Sequence, residues 1–326
     1  MTAISRLEWV LLSRPAKIGI LVGLTYGLVA RILVSNHWTS GAFGVMTIGF
    51  LFVVPVVMGY LTVRPIPEPS SSAKLFAPWV TCMLVVLCSL VGGLEGTICA
   101  VFALPVMLGL SSIGGLIAGS RPGRSPVVLP VAFVLPWAVL GVENGGQAPT
   151  RFVMTTTSIE IAAPAAVVWP LVVSVDTIRP EERRSALFTR IGFPQPIAAT
   201  LSHPGVGGVR RASFERGIVF REAVTEWIPE KRISFTIDAT TVPPTALDEH
   251  VRIGGPFFDV LDGTYTLQPV SASRTLLILQ SRHRVSTRFN AYAGWWATRV
   301  MESIQNNILH VLRDRAERNA TRERAT

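Results

Sequence analysis

The sequence predicts two fold classes in one chain: an α-helical transmembrane bundle over residues 1–142, then an α+β domain over 153–318 with a curved antiparallel sheet around a long C-terminal helix. Three observations predict this. Charge is scarce at first and ordinary afterwards: residues 1–150 hold 8 Lys/Arg and 4 Asp/Glu, whereas residues 151–326 hold 22 and 17. Uncharged stretches run over 32–63, 75–94, 96–120 and 125–142, and a helix needs only about 17–25 apolar residues to cross the hydrocarbon core. Beyond residue 150, segments alternating with period two lead into one amphipathic helix.

Hydrophobic residues make up 49% of the 326 and charged residues 16%, against about 25% charged in soluble domains. Mean hydropathy is +0.44. These values exclude a disordered chain, a disulfide-stapled mini-protein and an ordinary one-domain cytosolic enzyme. The net charge of +9 divides as +4 and +5 between the two parts. Nucleic-acid binding needs a clustered basic face with stacking aromatics, and none is present, so no nucleic-acid partner is expected. The tail from Arg313 to Arg324 holds five Arg, one Asp and two Glu. It reads as a solvated helix end; contact with anionic lipid head groups is the sharper alternative. Cys82, Cys88 and Cys99 lie in apolar runs and read as buried thiols.

Five spans are expected, at 18–34, 43–63, 76–93, 97–119 and 126–142. The fifth is short and carries Pro130 and Pro136. Arg31 is expected to snorkel to the interface, and Glu95 to sit in an interfacial hairpin. Glycines such as Gly109, Gly114, Gly115 and Gly119 suit close helix packing. Arg6, Arg14 and Lys17 precede the first span. Arg64 and Lys74 fall between the second and third, and Arg121 and Arg124 between the fourth and fifth. The alternate loops, 35–42 and 94–96, have no Lys or Arg. The positive-inside bias places the N-terminus in the cytoplasm. Five spans then place the C-terminal domain outside, and four would return it to the cytoplasm. This part reads by default as an anchor or partner surface in a lipid bilayer.

Residues 143–152 read as a linker, with a strand beginning at Val153 and reaching Ile161. Pro164 opens a short helix over Ala165 to Val173, and Pro180 a second helical stretch reaching Ile191. Strands are expected at 197–203, 207–215, 218–228, 231–239, 262–270 and 274–285, with turns at Gly205, Gly207, Gly208, Gly217, Pro229 and Gly263. Ile233, Phe235 and Ile237 share one strand face. The last helix, 288–318, carries an apolar stripe of Trp296, Val300, Ile304, Ile308 and Val311. Residues 319–326 read as a polar tail.

The opening SIEIAAPAAVVWPLV resembles the first strand and helix of the SRPBCC superfamily, which includes START lipid-transfer domains and polyketide cyclase/dehydrase-like proteins. Ile161, Ala163, Pro164, Val168 and Trp169 match that pattern; Ala162 stands where many members carry Asn, Asp or Pro. GVGGVRRASF, VTEWIPEKRISFTI and DGTYTLQPVSASRTLLIL resemble the family's later strands. The resemblance covers about 155–318. It implies a helix-grip fold, which usually holds an apolar or amphipathic ligand between sheet and helix. It does not license a reaction.

Phe214, Trp227, Phe235, Phe257, Phe258, Tyr265, Trp295, Trp296, Val300 and Ile304 are the candidate lining residues, each also explicable as packed core or surface. Phe257 and Phe258 fall in an expected loop at 240–261, a candidate lid or bilayer contact. Arg221, Glu222, Arg282 and His283 are candidate orienting groups, or members of solvated strand faces. His37, His203, His250, His283 and His310 lack zinc-ligand spacing, and no GxSxG elbow is present. No cofactor, metal or catalytic residue is expected, although Glu222 with His283 is a conceivable acid/base pair. Three functions stay open. They are a membrane-anchored binder of a hydrophobic small molecule or lipid, a cyclase- or hydrolase-type enzyme using the same cavity, and a cavity-less module docking an unknown membrane partner.

Overall fold

The computed structural model describes residues 13–34, 46–120, 128–144, 146–184, 187–243, 246–248 and 251–325. The loop 35–42 and parts of the second and fifth expected spans lie outside these. The chain forms two compact units, Met1–Ala148 and Pro149–Thr326.

The first unit is helical: α1 (Arg14–Val34), a π-helical turn (Gly49–Val53) running into α2 (Val54–Val63), α3 (Ser71–Val91), α4 (Thr97–Gly119) and α5 (Val128–Asn144). α1, α3 and α4 are long and apolar enough to cross a membrane. Gly49–Val63 and α5 are shorter apolar helices. Met58, Tyr26, Leu61, Cys82 and Val85 form the core. Backbones approach very closely there. A β-carbon on Gly59 would lie 1.8 Å from the Ser111 carbonyl oxygen, and one on Gly114 would lie 1.9 Å from that of Val56. Small residues permit this approach, and the close contact gains dispersion energy.

Two expectations change here. Arg31 does not snorkel: its Nε donates to Glu95 Oε1 at 2.7 Å, its side chain is 5% exposed, and it also donates to the Leu94 carbonyl. The turn between α3 and α4 thus supplies its counter-ion. Of the three cysteines, only Cys82 is buried; Cys88 is exposed on the outside of the bundle. Glu143, near the end of α5, accepts from the backbone N–H groups of Ile48 and Gly49 at 2.9 and 3.0 Å. Its charge meets the positive end of the helix that starts there.

The second unit is one antiparallel sheet and a long helix. The strands are β1 (Thr150–Ile161), β2 (Pro196–Leu201), β3 (Val209–Phe214), β4 (Val219–Ile228), β5 (Arg232–Asp238), β6 (Phe258–Ser271) and β7 (Arg274–Ser286). Their order across the sheet is β1-β7-β6-β5-β4-β3-β2. The helices are α6 (Ala165–Val173), the short α7 (Leu187–Arg190) and α8 (Asn290–Ala325). Alternation decides the faces: Ile233 and Phe235, Leu277 and Leu279, and Tyr265 and Leu267 are buried on one side.

Three segments differ from the expectation. The stretch Pro180 to Ile191 is not one helix but a single turn, Pro180–Glu182, followed by α7. Glu182 is used elsewhere: its carboxylate accepts from both Arg315 and the Arg179 backbone. The hydrogen bond from Arg315 holds its carboxyl down at about 2. Pairing of β6 begins at Phe258, opposite Val285, because Arg284 ties down the turn through the Gly255 and Pro256 carbonyls. α8 continues to Ala325, through the segment read as a tail. Its most buried row is Met301, Gln305, Leu309, Leu312 and Ala316, one step round from the expected stripe. Polar Gln305 sits in that row because the sheet hydrogen-bonds it.

Candidate functional site

Gln305 locks the helix to the sheet. Its Nε2 donates to Ser281 Oγ at 2.7 Å, and its Oε1 accepts from Thr157 at 2.9 Å. Further along α8, Glu317 accepts from the Ala162 backbone at 3.0 Å and Arg315 clamps Glu182 at 2.8 Å. The inward rows of a seven-stranded sheet therefore face the long C-terminal helix. This is a helix-grip fold.

The inward rows of β3 to β6 are not purely apolar. Arg210 stands in register with Glu222 on the next strand. They form a salt bridge with side chains 5% and 7% exposed. Arg210 Nε also donates to the Val173 carbonyl at the end of α6, at 3.3 Å. Its guanidinium lies 5.5 Å from the centre of the Phe235 ring and 5.9 Å from that of Tyr265. Burial works against its charge, but the Glu222 carboxylate and the Tyr265 hydroxyl hold its pKa above the usual arginine value. Burial pushes the Glu222 carboxyl up, with Arg210 pulling against it, and pushes the Tyr265 hydroxyl up as well. Gly263 makes room for this arrangement: a β-carbon there would lie 2.7 Å from the Phe235 ring.

The candidate lining residues fall into groups. Phe235 and Tyr265 are buried around Arg210. Phe214 stacks edge-on with Phe220 at 5.5 Å, further along the same inward rows. Trp227 packs on Trp169 of α6 at 5.2 Å. Phe257 is buried, and Phe258 lies 5.7 Å from the His283 ring. Trp295 is 51% exposed and stacks on Trp296, which also meets Phe188 and Tyr292. Val300 is buried in the helix–sheet interface. Ile304 helps line a cleft of about 10 Å³ with Phe188, Phe193, Gln195, Ser303 and Asn307, about the space one water needs.

The four orienting candidates divide by strand parity. Arg221 and Arg282 face outward; Arg282 pairs with Asp262. Glu222 and His283 face inward, but they do not form an acid/base pair: Glu222 is bound to Arg210, and His283 meets Phe258. Burial lowers the His283 pKa to about 4, so it is neutral at pH 7. Arg210 was missed. The signal for it is a charge sharing strand parity with Ala212 and Phe214, on a face otherwise apolar. Among the described residues, no three His, Cys, Asp or Glu side chains are grouped to hold a metal ion.

No protein-family model matches the chain, and no curated protein matches it significantly. Solved structures with this fold do. Zhui aromatase/cyclase from Streptomyces sp. R1128 is 18% identical, over 52% of this chain and 95% of its own, with a TM-score of 0.33. A START superfamily protein from Mycobacterium smegmatis is 14% identical, over 52% and 98%, with a TM-score of 0.32. A norcoclaurine synthase from Thalictrum flavum is 14% identical, over 51% and 97%, also at 0.32. Likeness of this size says nothing about what the present helix-grip domain binds or does.

Proposed function

We propose that this chain is a membrane-anchored binding protein. Its helix-grip domain takes a hydrophobic small molecule or lipid between the concave sheet face and α8. The carrying observation is the Arg210–Glu222 pair, with Tyr265, buried among aromatic rings on that face. Such a pair is a poor stabilising device, because an apolar pair of similar volume is often as good or better. A few polar groups in an apolar setting are what orients an apolar ligand. Binding is driven by desolvation, and the bilayer anchor raises the effective concentration of a lipidic ligand.

The course of the first unit supports an extracytoplasmic domain. Tyr26 meets Phe133, and Val34 packs with Leu140. α1 and α5 therefore run parallel, and α5 ends on the side where α1 ends. With the basic N-terminal end of α1 in the cytoplasm, the chain leaves the membrane on the outer side.

The test replaces the pair by apolar residues in the full chain, Arg210→Met with Glu222→Leu. The fold survives and the native ligand is lost or exchanged, as read by mass spectrometry of the purified protein. An unchanged stoichiometric ligand in that variant would count against the site.

A second reading has one observation in its favour. Glu222 and Tyr265 both meet Arg210 on the concave face, a polar cluster that suits cyclase or hydrolase chemistry. Glu222→Gln would then stop turnover of the co-purified molecule without releasing it.

A further inference from the structure

A second polar cluster lies under α8, on the other side of the concave face, and two of its members lack hydrogen-bond partners. The register pairs Val153 with His283 and Thr155 with Ser281. Thr155, Ser281 and His283 share the inward parity of β1 and β7. His283 is 0% exposed and Thr155 is 2% exposed. Neither ring nitrogen of His283 has a hydrogen-bond partner, and nor has the Thr155 hydroxyl. Gln305, the nearest amide, is already committed to Ser281, Thr157 and the Thr155 carbonyl. More than about 90% of buried polar groups in native proteins are paired. Two orphaned side chains on diagonal positions of adjoining strands are therefore a feature to explain. Diagonal neighbours stand roughly 7 Å apart, which leaves an oxygen between them within reach of both.

We infer that His283 and Thr155 together hold a neutral oxygen, hydroxyl or carbonyl, of the molecule bound in the helix-grip domain. The inference rests on the binding function proposed above and names the chemistry of the ligand. A neutral imidazole offers one N–H donor and one bare nitrogen acceptor, and the threonine adds a hydroxyl. A ligand hydroxyl can meet one ring nitrogen and the threonine hydroxyl, donating to one and accepting from the other, and a carbonyl can accept from the imidazole N–H and the threonine hydroxyl. An anion is poorly served. The inward neighbours of His283 on β1, β6 and β7 are Val153, Thr155, Val260, Ser281 and Val285, none of them charged. The arginines of β7 face away: Arg282 is held by Asp262, and Arg284 by the Gly255 and Pro256 carbonyls. From α8, Met301 and Gln305 lie in the buried row, and Arg299 pairs with Glu302 on the exposed side. Phe258 against the His283 ring supplies the apolar wall for the rest of the ligand.

The experiment compares two probes of equal shape, 2-naphthol and naphthalene, on the full chain in nanodiscs, with empty nanodiscs subtracted. The variant is His283→Phe with Thr155→Val. Replacing orphaned polar groups by apolar ones of similar shape does not cost stability, and an unchanged melting temperature verifies the fold. The expected result is about a tenfold loss of 2-naphthol affinity with naphthalene unaffected. His283→Gln with Thr155→Ser, which keeps donors at both positions, retains most of the 2-naphthol affinity. Equal effects on both probes, or none, would overturn the oxygen contact while leaving the binding function standing. Binding of neither probe by the native chain would overturn the oxygen contact as well, whereas the binding function is read separately, from the molecule that co-purifies with the chain.

Discussion

Arg210 and Glu222 close a salt bridge on the concave face of the sheet, from directly opposed positions on β3 and β4. The guanidinium lies over the rings of Phe235 and Tyr265 and is tied to the end of α6. Removing one partner strands the other in the interior. Arg210→Met alone is expected to destabilise the domain by about 3–5 kcal/mol. The double variant with Glu222→Leu returns close to the native value. Urea unfolding of the full chain, followed by tryptophan fluorescence, reads the difference.

His283 gives the domain a pH dependence with a definite sign. Its folded pKa is about 4 against an ordinary value of 6.5. The unfolded chain takes up this proton first as pH falls. Stability from this group is therefore complete above pH 6.5 and declines between 6.5 and 4, by up to about 3 kcal/mol. His283→Phe flattens the curve in that window. Melting temperatures of both proteins from pH 7.5 to 4 check it.

The first unit depends on backbone contact between α2 and α4. Gly59→Ala brings a methyl group against the Ser111 carbonyl and is expected to cost at least about 1–3 kcal/mol, the usual cost of overpacking. Gly109 has nothing within 4 Å of the equivalent atom. Gly109→Ala should be neutral or slightly stabilising, since alanine is the better helix former. Thermal aggregation in detergent separates the two.

The parallel course of α1 and α5 makes a topology prediction. Alkaline phosphatase fused after Thr150 should be active, and a fluorescent protein fused there should be dark when exported unfolded. A bright cytoplasmic reporter would mean that α5 does not cross.

The helix-grip architecture was readable because its signals are local. Ile233, Phe235 and Ile237 alternate, Gly207 and Gly217 mark turns, and the final helix has a single apolar side. The start of β6 was not readable: Gly254-Gly255-Pro256 looks like a loop, and the anchoring of that turn by Arg284 is a long-range contact. The helix expected over 180–191 failed for a similar reason, since Arg315 claims Glu182 from far along the chain. The site was half legible. Phe235 and Tyr265 were marked as aromatics, but Arg210 went unnoticed, because its meaning comes from Glu222 across the sheet. Nor can a sequence show that the nitrogens of His283 go unpaired. That requires every neighbouring side chain in place.

The most direct test of the binding account is native mass spectrometry of the full chain, gently extracted from its own membrane. The account predicts one hydrophobic molecule per chain, bearing a neutral oxygen, and absent from the Arg210→Met, Glu222→Leu variant. A native protein that carries no such molecule, even after exposure to total membrane lipid extract, would contradict it.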